Sequence, residues 1–185
     1  MLALEQVNND WTLFLDRDGV LNHEKNNDYV LNWGEFRFYN TVPQALASLN
    51  TRFKHIVVVT NQKGVGKGLM RLEDLDNIHQ NMLSVIEKAG GRIDKIYFCS
   101  DLADDSPNRK PQPGMAFQAQ HDFPGIDLSR SIMVGNRPSD MKFGRNAGMH
   151  TVYLATTHPE TPFPHPDIDL RFNSLAEFAA AFTVL

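Results

Sequence analysis

Cysteine occurs once in the 185 residues, at Cys99, which excludes an internal disulfide and any zinc site built on several thiolates. Long apolar runs are missing too. The longest clean aliphatic stretch, Ile56–Val59, falls far short of the roughly 20 residues that span a bilayer. Positive charge is not in excess: 18 Lys and Arg against 22 Asp and Glu give a net charge of −4 and a pI near 5.9. A broad basic face for nucleic acid is therefore not expected. There is no Asn-x-Ser/Thr sequon, and the opening MLALEQVNND has no Lys or Arg ahead of an apolar stretch. Both point away from secretion and toward a cytoplasmic protein without membrane partners. With 42% apolar and 22% charged residues, the composition is that of a folded globule rather than a disordered chain or coiled coil. No repeat, low-complexity tract or linker divides it, so residues 1–185 are expected to form a single domain, able to act as a monomer.

What is present is an alternation of strand-like and helix-like segments. Trp11–Leu15 and His55–Thr60 are short apolar or β-branched runs of the kind buried on both faces of a sheet. Ile93–Cys99, Ser131–Val134, Thr151–Leu154 and Leu170–Phe172 read as further strands. Thr41-Val-Pro-Gln44 offers a capping box for one helix and Ser174-Leu-Ala-Glu177 for another. Apolar residues from Leu72 to Ala89 keep helical spacing up to Gly90-Gly91, and Pro113-Gly114 opens a short helix. A further helix over 139–147 closes at Gly148, and four prolines make 158–166 irregular. Such alternation predicts an α/β fold: a Rossmann-like, mainly parallel sheet with helices on both faces, binding ligands beyond the carboxyl ends of its strands.

Four polar sets lie at that edge. Asp16-x-Asp18 ends the first strand, and residues two apart in an extended chain point the same way. Thr60-Asn61 ends the second, Arg109-Lys110 follows the third, and Gly135-Asn136 ends the fourth, with Asp140 four residues on. Each set alone also suits a turn or a cap. Their convergence on one edge of one sheet favours a site.

FLDRDGVLN, VVTNQKG, RKPQPGM and VGNRPSDMKFGRNAG, in that order, resemble the four motifs of the haloacid dehalogenase-like hydrolases. Within them the chain is most similar to the histidinol-phosphatase and D,D-heptose 1,7-bisphosphate phosphatase group. The resemblance runs from about Trp11 to Leu154. It implies a Mg²⁺-dependent phosphomonoesterase with an aspartyl-phosphate intermediate, acting on a small phosphorylated metabolite. The implied substrate is a heptose bisphosphate, losing its 7-phosphate, as in carbohydrate metabolism for cell-surface glycans. Histidinol phosphate is the alternative within the same chemistry, a nucleic-acid 3′-phosphate a more distant one, and a catalytically lapsed phosphate-binding module the alternative outside it. By the same resemblance Asp16 is the nucleophile and Asp18 the general acid and base. Thr60, Asn61, Arg109 and Lys110 bind the phosphate. Mg²⁺ is held by Asp16, the Asp18 backbone carbonyl and Asn136, and Asp140 anchors Lys110 or metal-bound water.

Several segments qualify this reading. Residues 19–39, with Tyr29, Trp33, Phe36 and Phe38, are expected to form a short flap, their aromatics suiting flap packing or substrate contact equally, and there is no room for a large cap domain. Gly64-Val-Gly-Lys-Gly68 fails as a Walker A loop, since Asn61 stands where Gly is needed and Gly68 where Ser or Thr is. It reads instead as a flexible phosphate-side loop, with Lys67 a candidate substrate contact. The seven histidines show no ligand spacing and are expected on the surface or in loops, His23 after the first motif being the exception worth watching. The zinc loop of many relatives keeps only Cys99 here, so no zinc is expected. Asn136 replaces the usual aspartate of the family. Losing one carboxylate at the metal is expected to weaken Mg²⁺ binding by ~1–2 kcal/mol, roughly ten- to thirtyfold, once desolvation offsets the gross attraction.

Overall fold

The computed structural model describes residues 2–182; residue 1 and residues 183–185, though within the expected single domain, lie outside the described part. Six strands form one sheet: β1 (Thr12–Leu15), β2 (His55–Asn61), β3 (Lys95–Cys99), β4 (Ser131–Gly135), β5 (His150–Leu154) and β6 (Leu170–Phe172). Every pairing is parallel, in the order β3-β2-β1-β4-β5-β6. The helices between them are α1 (Val42–Leu49), α2 (Lys63–Gly66), α3 (Leu72–Lys88), α4 (Gly114–Asp122), α5 (Pro138–Asn146) and α6 (Leu175–Ala180).

Period-two alternation sorts the strand residues between two layers. Leu13, Leu15, Ile56, Val58, Ile132, Val134, Val152 and Leu154 pack with the apolar stripes of α1, α3 and α6. Phe14, Val57, Val59 and Met133 pack with Met115, Ala116, Ala119 and Phe143 of α4 and α5 on the other face. Each such side chain contributes roughly 1.5–3 kcal/mol by leaving water. β1 sits centrally, between β2 and β4, and strand order reverses direction there. That switch point is where an open parallel sheet leaves a crevice at its carboxyl edge.

Three local expectations are corrected. Thr41 precedes α1, but its ψ of 1° is not the extended conformation of a capping residue, and its hydroxyl caps nothing. At α6, Ser174 Oγ does accept the Glu177 amide at 3.1 Å, while the Glu177 carboxylate reaches back past Ser174 to the Asn173 amide. β3 begins at Lys95 rather than Ile93, because the Asp94 carboxylate takes the Ile56 amide at 2.8 Å in place of a ladder carbonyl.

Residues 19–39 fold over the carboxyl edge as a flap, tied by bridges from Asn22 to Asp18 and Phe38. Trp33 stacks on Phe36, Phe38 meets both edge-on, and the three pack against the core beneath α1 and α3. The flap aromatics thus hold the flap down; of them only Tyr29 lines the cleft it covers. No helix among the described residues is long and apolar enough to cross a membrane.

Candidate active site

The cleft at this edge has a volume of about 450 Å³, and its lining includes Asp16, Asp18, Thr60, Asn61, Arg109, Lys110 and Asp140. At its floor lies a buried ion triad. Lys110 Nζ is 2.8 Å from Asp16 Oδ1, 2.8 Å from Asp140 Oδ1 and 2.8 Å from the Val59 carbonyl. All three ammonium donors are thereby used, and the side chain is fixed. Asp140 is held in turn by the amides of Asn136 and Arg137 at the start of α5. Gly135 allows this close approach: a Cβ there would lie 2.2 Å from that of Asp140.

Burial dominates the electrostatics of Asp16 and pushes its carboxyl up to about 7. The Lys110 charge opposes that rise, while Asp140 and Asp18 add to it. Burial also works against the Lys110 ammonium, but the two carboxylates beside it prevail and hold its pKa above the usual lysine range. A buried carboxylate in want of further positive charge is well suited to take a cation.

Asp18 is the opposite case. Burial favours its neutral acid, but the Arg17 guanidinium and hydrogen bonds from Asn22, Arg17 and Gln62 outweigh it and hold the carboxyl below its usual range. Arg17 Nη2 lies 3.0 Å from both Asp18 oxygens, Asn22 Nδ2 is 2.9 Å from Oδ1 and Gln62 Nε2 is 2.9 Å from Oδ2. The same Gln62 amide donates to Thr60 Oγ1 at 2.9 Å. Arg17, Asn22 and Gln62 are thus site residues that the sequence reading did not single out.

Behind them, Arg17 Nη1 meets His79 Nε2 at 3.3 Å in the middle of α3. His79 is buried within a helix, not on the surface or in a loop as expected of the histidines other than His23. Burial and the Arg17 charge lower its pKa to about 3, so it is neutral. Because arginine only donates, Nε2 must be the acceptor and the proton sits on Nδ1. His23 is exposed, packs at a tilt against Tyr39 with 3.9 Å between centroids, and does not line the cleft.

Other expected residues are placed differently. The Asn61 side chain, expected to bind the phosphate, spends both polar atoms, at 3.1 Å each, on the Lys110 backbone and so positions the Lys110 loop. Arg109 lines the wall with its guanidinium toward Asp104 at 3.3 Å. The glycine segment after β2 is only partly a loop: Gly64–Gly66 belongs to the one-turn helix α2, and Lys67-Gly68 turn out of it. Lys67 stands 5.1 Å over the Tyr29 ring, a flap contact. Cys99 is buried at the end of β3, and no group of three or more His, Cys, Asp or Glu among the described residues is placed to hold a metal.

Asn136 lies fully buried beside the cleft, with no hydrogen-bond partner for Oδ1. Its Nδ2 donates to Thr157 Oγ1 at 2.7 Å. Only glycine fits opposite it, since Gly19 has φ +85° and a Cβ there would lie 2.0 Å from that nitrogen. An orphaned buried amide oxygen and the buried Asp16 carboxylate, which follow the paired strands β4 and β1 at one sheet edge, are oxygen donors that fit a hard cation such as Mg²⁺.

Residues 8–178 match the family model described as polynucleotide kinase 3 phosphatase. The chain is 34% identical over 181 residues, 97% of its length and 95% of the relative's, to the D-glycero-α-D-manno-heptose-1,7-bisphosphate 7-phosphatase of Mycobacterium bovis. The D-glycero-β-D-manno-heptose-1,7-bisphosphate 7-phosphatase of Helicobacter pylori is 33% identical, covering 81% of this chain and 86% of its own. Among solved structures, D,D-heptose 1,7-bisphosphate phosphatase from B. bronchiseptica, complexed with magnesium and phosphate, superposes with a TM-score of 0.85 at 27% identity, covering 94% of this chain and 98% of that one.

Proposed function

The chain belongs to the polynucleotide kinase 3 phosphatase family, and from its likeness to heptose-bisphosphate phosphatases we propose that it is a phosphomonoesterase releasing the 7-phosphate of a heptose 1,7-bisphosphate. The observation that carries the reading is Asp16, buried at the cleft floor with Lys110 on one oxygen, at the sheet's switch point. Lys110 Nζ and the Arg17 amide, at 2.7 Å, both meet Oδ1, which leaves Oδ2 to attack phosphorus.

In the first half-reaction an Asp16 oxygen forms a bond to phosphorus while the bond to the sugar oxygen breaks. Asp18 gives that oxygen a proton. The negative charge of the arriving phosphate opposes that of Arg17 and raises the Asp18 pKa toward the acid it must be. In the second half-reaction Asp18, again a carboxylate, takes a proton from water, which attacks phosphorus and frees Asp16. Thr60 Oγ1 and Lys110 Nζ offset the charge gathering on the phosphoryl oxygens. Mg²⁺ would be held by Asp16, the Asp18 backbone carbonyl and Asn136 Oδ1, and supplies the positive charge that lets a phosphate dianion meet a carboxylate.

The test is a panel of phosphorylated metabolites with Mg²⁺: both heptose bisphosphate anomers, histidinol phosphate and a 3′-phosphorylated oligonucleotide. One heptose anomer is expected to be turned over fastest, with phosphate leaving position 7. Preference for histidinol phosphate or the oligonucleotide would overturn the substrate assignment, and no turnover on any would point to a lapsed catalyst. The chain's acidity weighs against the oligonucleotide.

Asp18→Asn is expected to slow turnover of sugar phosphates by about 10²–10⁴-fold. Aryl phosphates, whose leaving groups need little protonation, are expected to lose far less in the first half-reaction. Equal losses on both substrate types would remove Asp18 from the acid role.

Metal affinity is expected to depend on pH in a defined sense. The Asp16 carboxyl, raised to about 7, must lose its proton before it can hold Mg²⁺. Calorimetric titration is therefore expected to show affinity rising with pH up to about 7 and levelling above. An affinity flat from about pH 5.5 upward would contradict the raised pKa. We also infer that no zinc is held; metal analysis finding about one tightly bound zinc per chain would contradict this.

A further inference from the structure

We propose that Glu24, on the flap, is a positioning residue for Asn136: it fixes the amide so that Oδ1 serves the metal, and supplies the negative charge that an asparagine there does not. The inference rests on the Mg²⁺ reading above. Glu24 Oε2 lies 3.4 Å from Asn136 Nδ2 and lines the same cleft as Asp16 and Asp18. A carboxylate only accepts, so the atom facing Glu24 must be the amide nitrogen. With Thr157 Oγ1 accepting from the same nitrogen at 2.7 Å, both Asn136 protons point away and Oδ1 is left free, buried and unpartnered. A negative charge behind the nitrogen also polarises the amide and makes its oxygen the stronger donor. At this position an aspartate would bring its charge itself; asparagine borrows it from the flap.

The competing explanation is purely mechanical. Arg137 Nη2 contacts both Glu24 oxygens at 3.0 Å, so Glu24 also latches the flap to the start of α5. The two roles separate by substitution. In the charge role, the Arg137 cation works against the metal; in the latch role, it helps.

The experiment is calorimetric titration with Mg²⁺ alone of the full chain and of Glu24→Gln, Arg137→Gln, Asn136→Asp and the Glu24→Gln/Asn136→Asp double variant. Glu24→Gln is expected to weaken Mg²⁺ binding about five- to tenfold, and Arg137→Gln to leave it unchanged or tighten it up to about threefold. Asn136→Asp sets two carboxylates face to face in the native background. It is therefore expected to tighten binding about tenfold only when Glu24 is also Gln, and by less than about threefold otherwise. Native affinity in Glu24→Gln would overturn the proposal while leaving the metal reading intact. Equal weakening by Arg137→Gln would assign Glu24 to the latch and overturn it too. The same gain from Asn136→Asp in both backgrounds would do likewise. A native protein that binds no Mg²⁺ would overturn the metal reading together with the proposal.

Discussion

Asp16→Asn is expected to abolish turnover, by at least about 10⁴-fold, while the protein stays folded. The amide has nearly the volume of the carboxyl but is a poor nucleophile. The substitution also removes a buried group whose ionisation burial opposes, as its raised pKa records. Lys110 keeps Asp140 as a charged partner. Urea unfolding at about pH 8 is therefore expected to place the variant within about 1 kcal/mol of the native chain. Residual activity of a few per cent would sink the nucleophile assignment, and unfolding would show that Asp16 is needed for structure.

Lys110→Met is expected to have the larger structural effect. It leaves two carboxyls, Asp16 and Asp140, buried side by side with no cation between them. Removing one partner of such a cluster costs about 3–5 kcal/mol. The sign with pH follows from linkage. Without Lys110, the folded-state pKa of Asp16, already raised from 3.8 to about 7 by burial, loses the charge that opposes that rise and climbs further. A carboxyl with a raised folded pKa binds its proton more tightly when folded, so stability falls as pH rises from the unfolded pKa through the folded one. The penalty is thus expected to be smallest near pH ~5 and largest near pH ~8, with the native chain showing a weaker trend of the same sign. Unfolding free energies at several pH values decide it; a penalty independent of pH would mean that the acids are not the cause. Activity should fall with stability corrected for, since the phosphate loses its cation.

The sheet was legible because buried parallel strands leave a strong signature: the runs Leu13-Phe-Leu15 and Ile56-Val-Val-Val59 admit few other readings. So was the carboxyl edge, because Asp16, Thr60-Asn61 and Gly135-Asn136 follow such runs directly, and only Arg109-Lys110 stands well past its strand, β3. The residues behind the site were less legible. Alternation along an extended chain places Asp16 and Asp18 on one side, and applied equally to Thr60 it places Gln62, not Asn61, beside it. The structure follows that alternation, with Gln62 on Asp18 and Thr60, and Asn61 turned to the Lys110 loop. Arg17, between two acids, was a visible candidate for their charge partner; His79 was not. Its burial depends on Arg17 crossing beneath the flap to α3, a tertiary contact spanning 62 residues that no local pattern encodes. Asn136 and Glu24 are 112 residues apart, and their pairing likewise exists only in the fold.

The central claim is that Asp16 carries the phosphoryl group between the two half-reactions. It is tested most directly by mixing the full chain with Mg²⁺ and heptose bisphosphate radiolabelled at the 7-phosphate, quenching in acid within the first turnover, and mapping the label. The expected result is an acid-stable, hydroxylamine-labile phosphate on the peptide containing Asp16, absent from Asp16→Asn. Phosphate released in that first turnover with no label ever found on the protein would contradict the covalent route and, with it, the role assigned to Asp16.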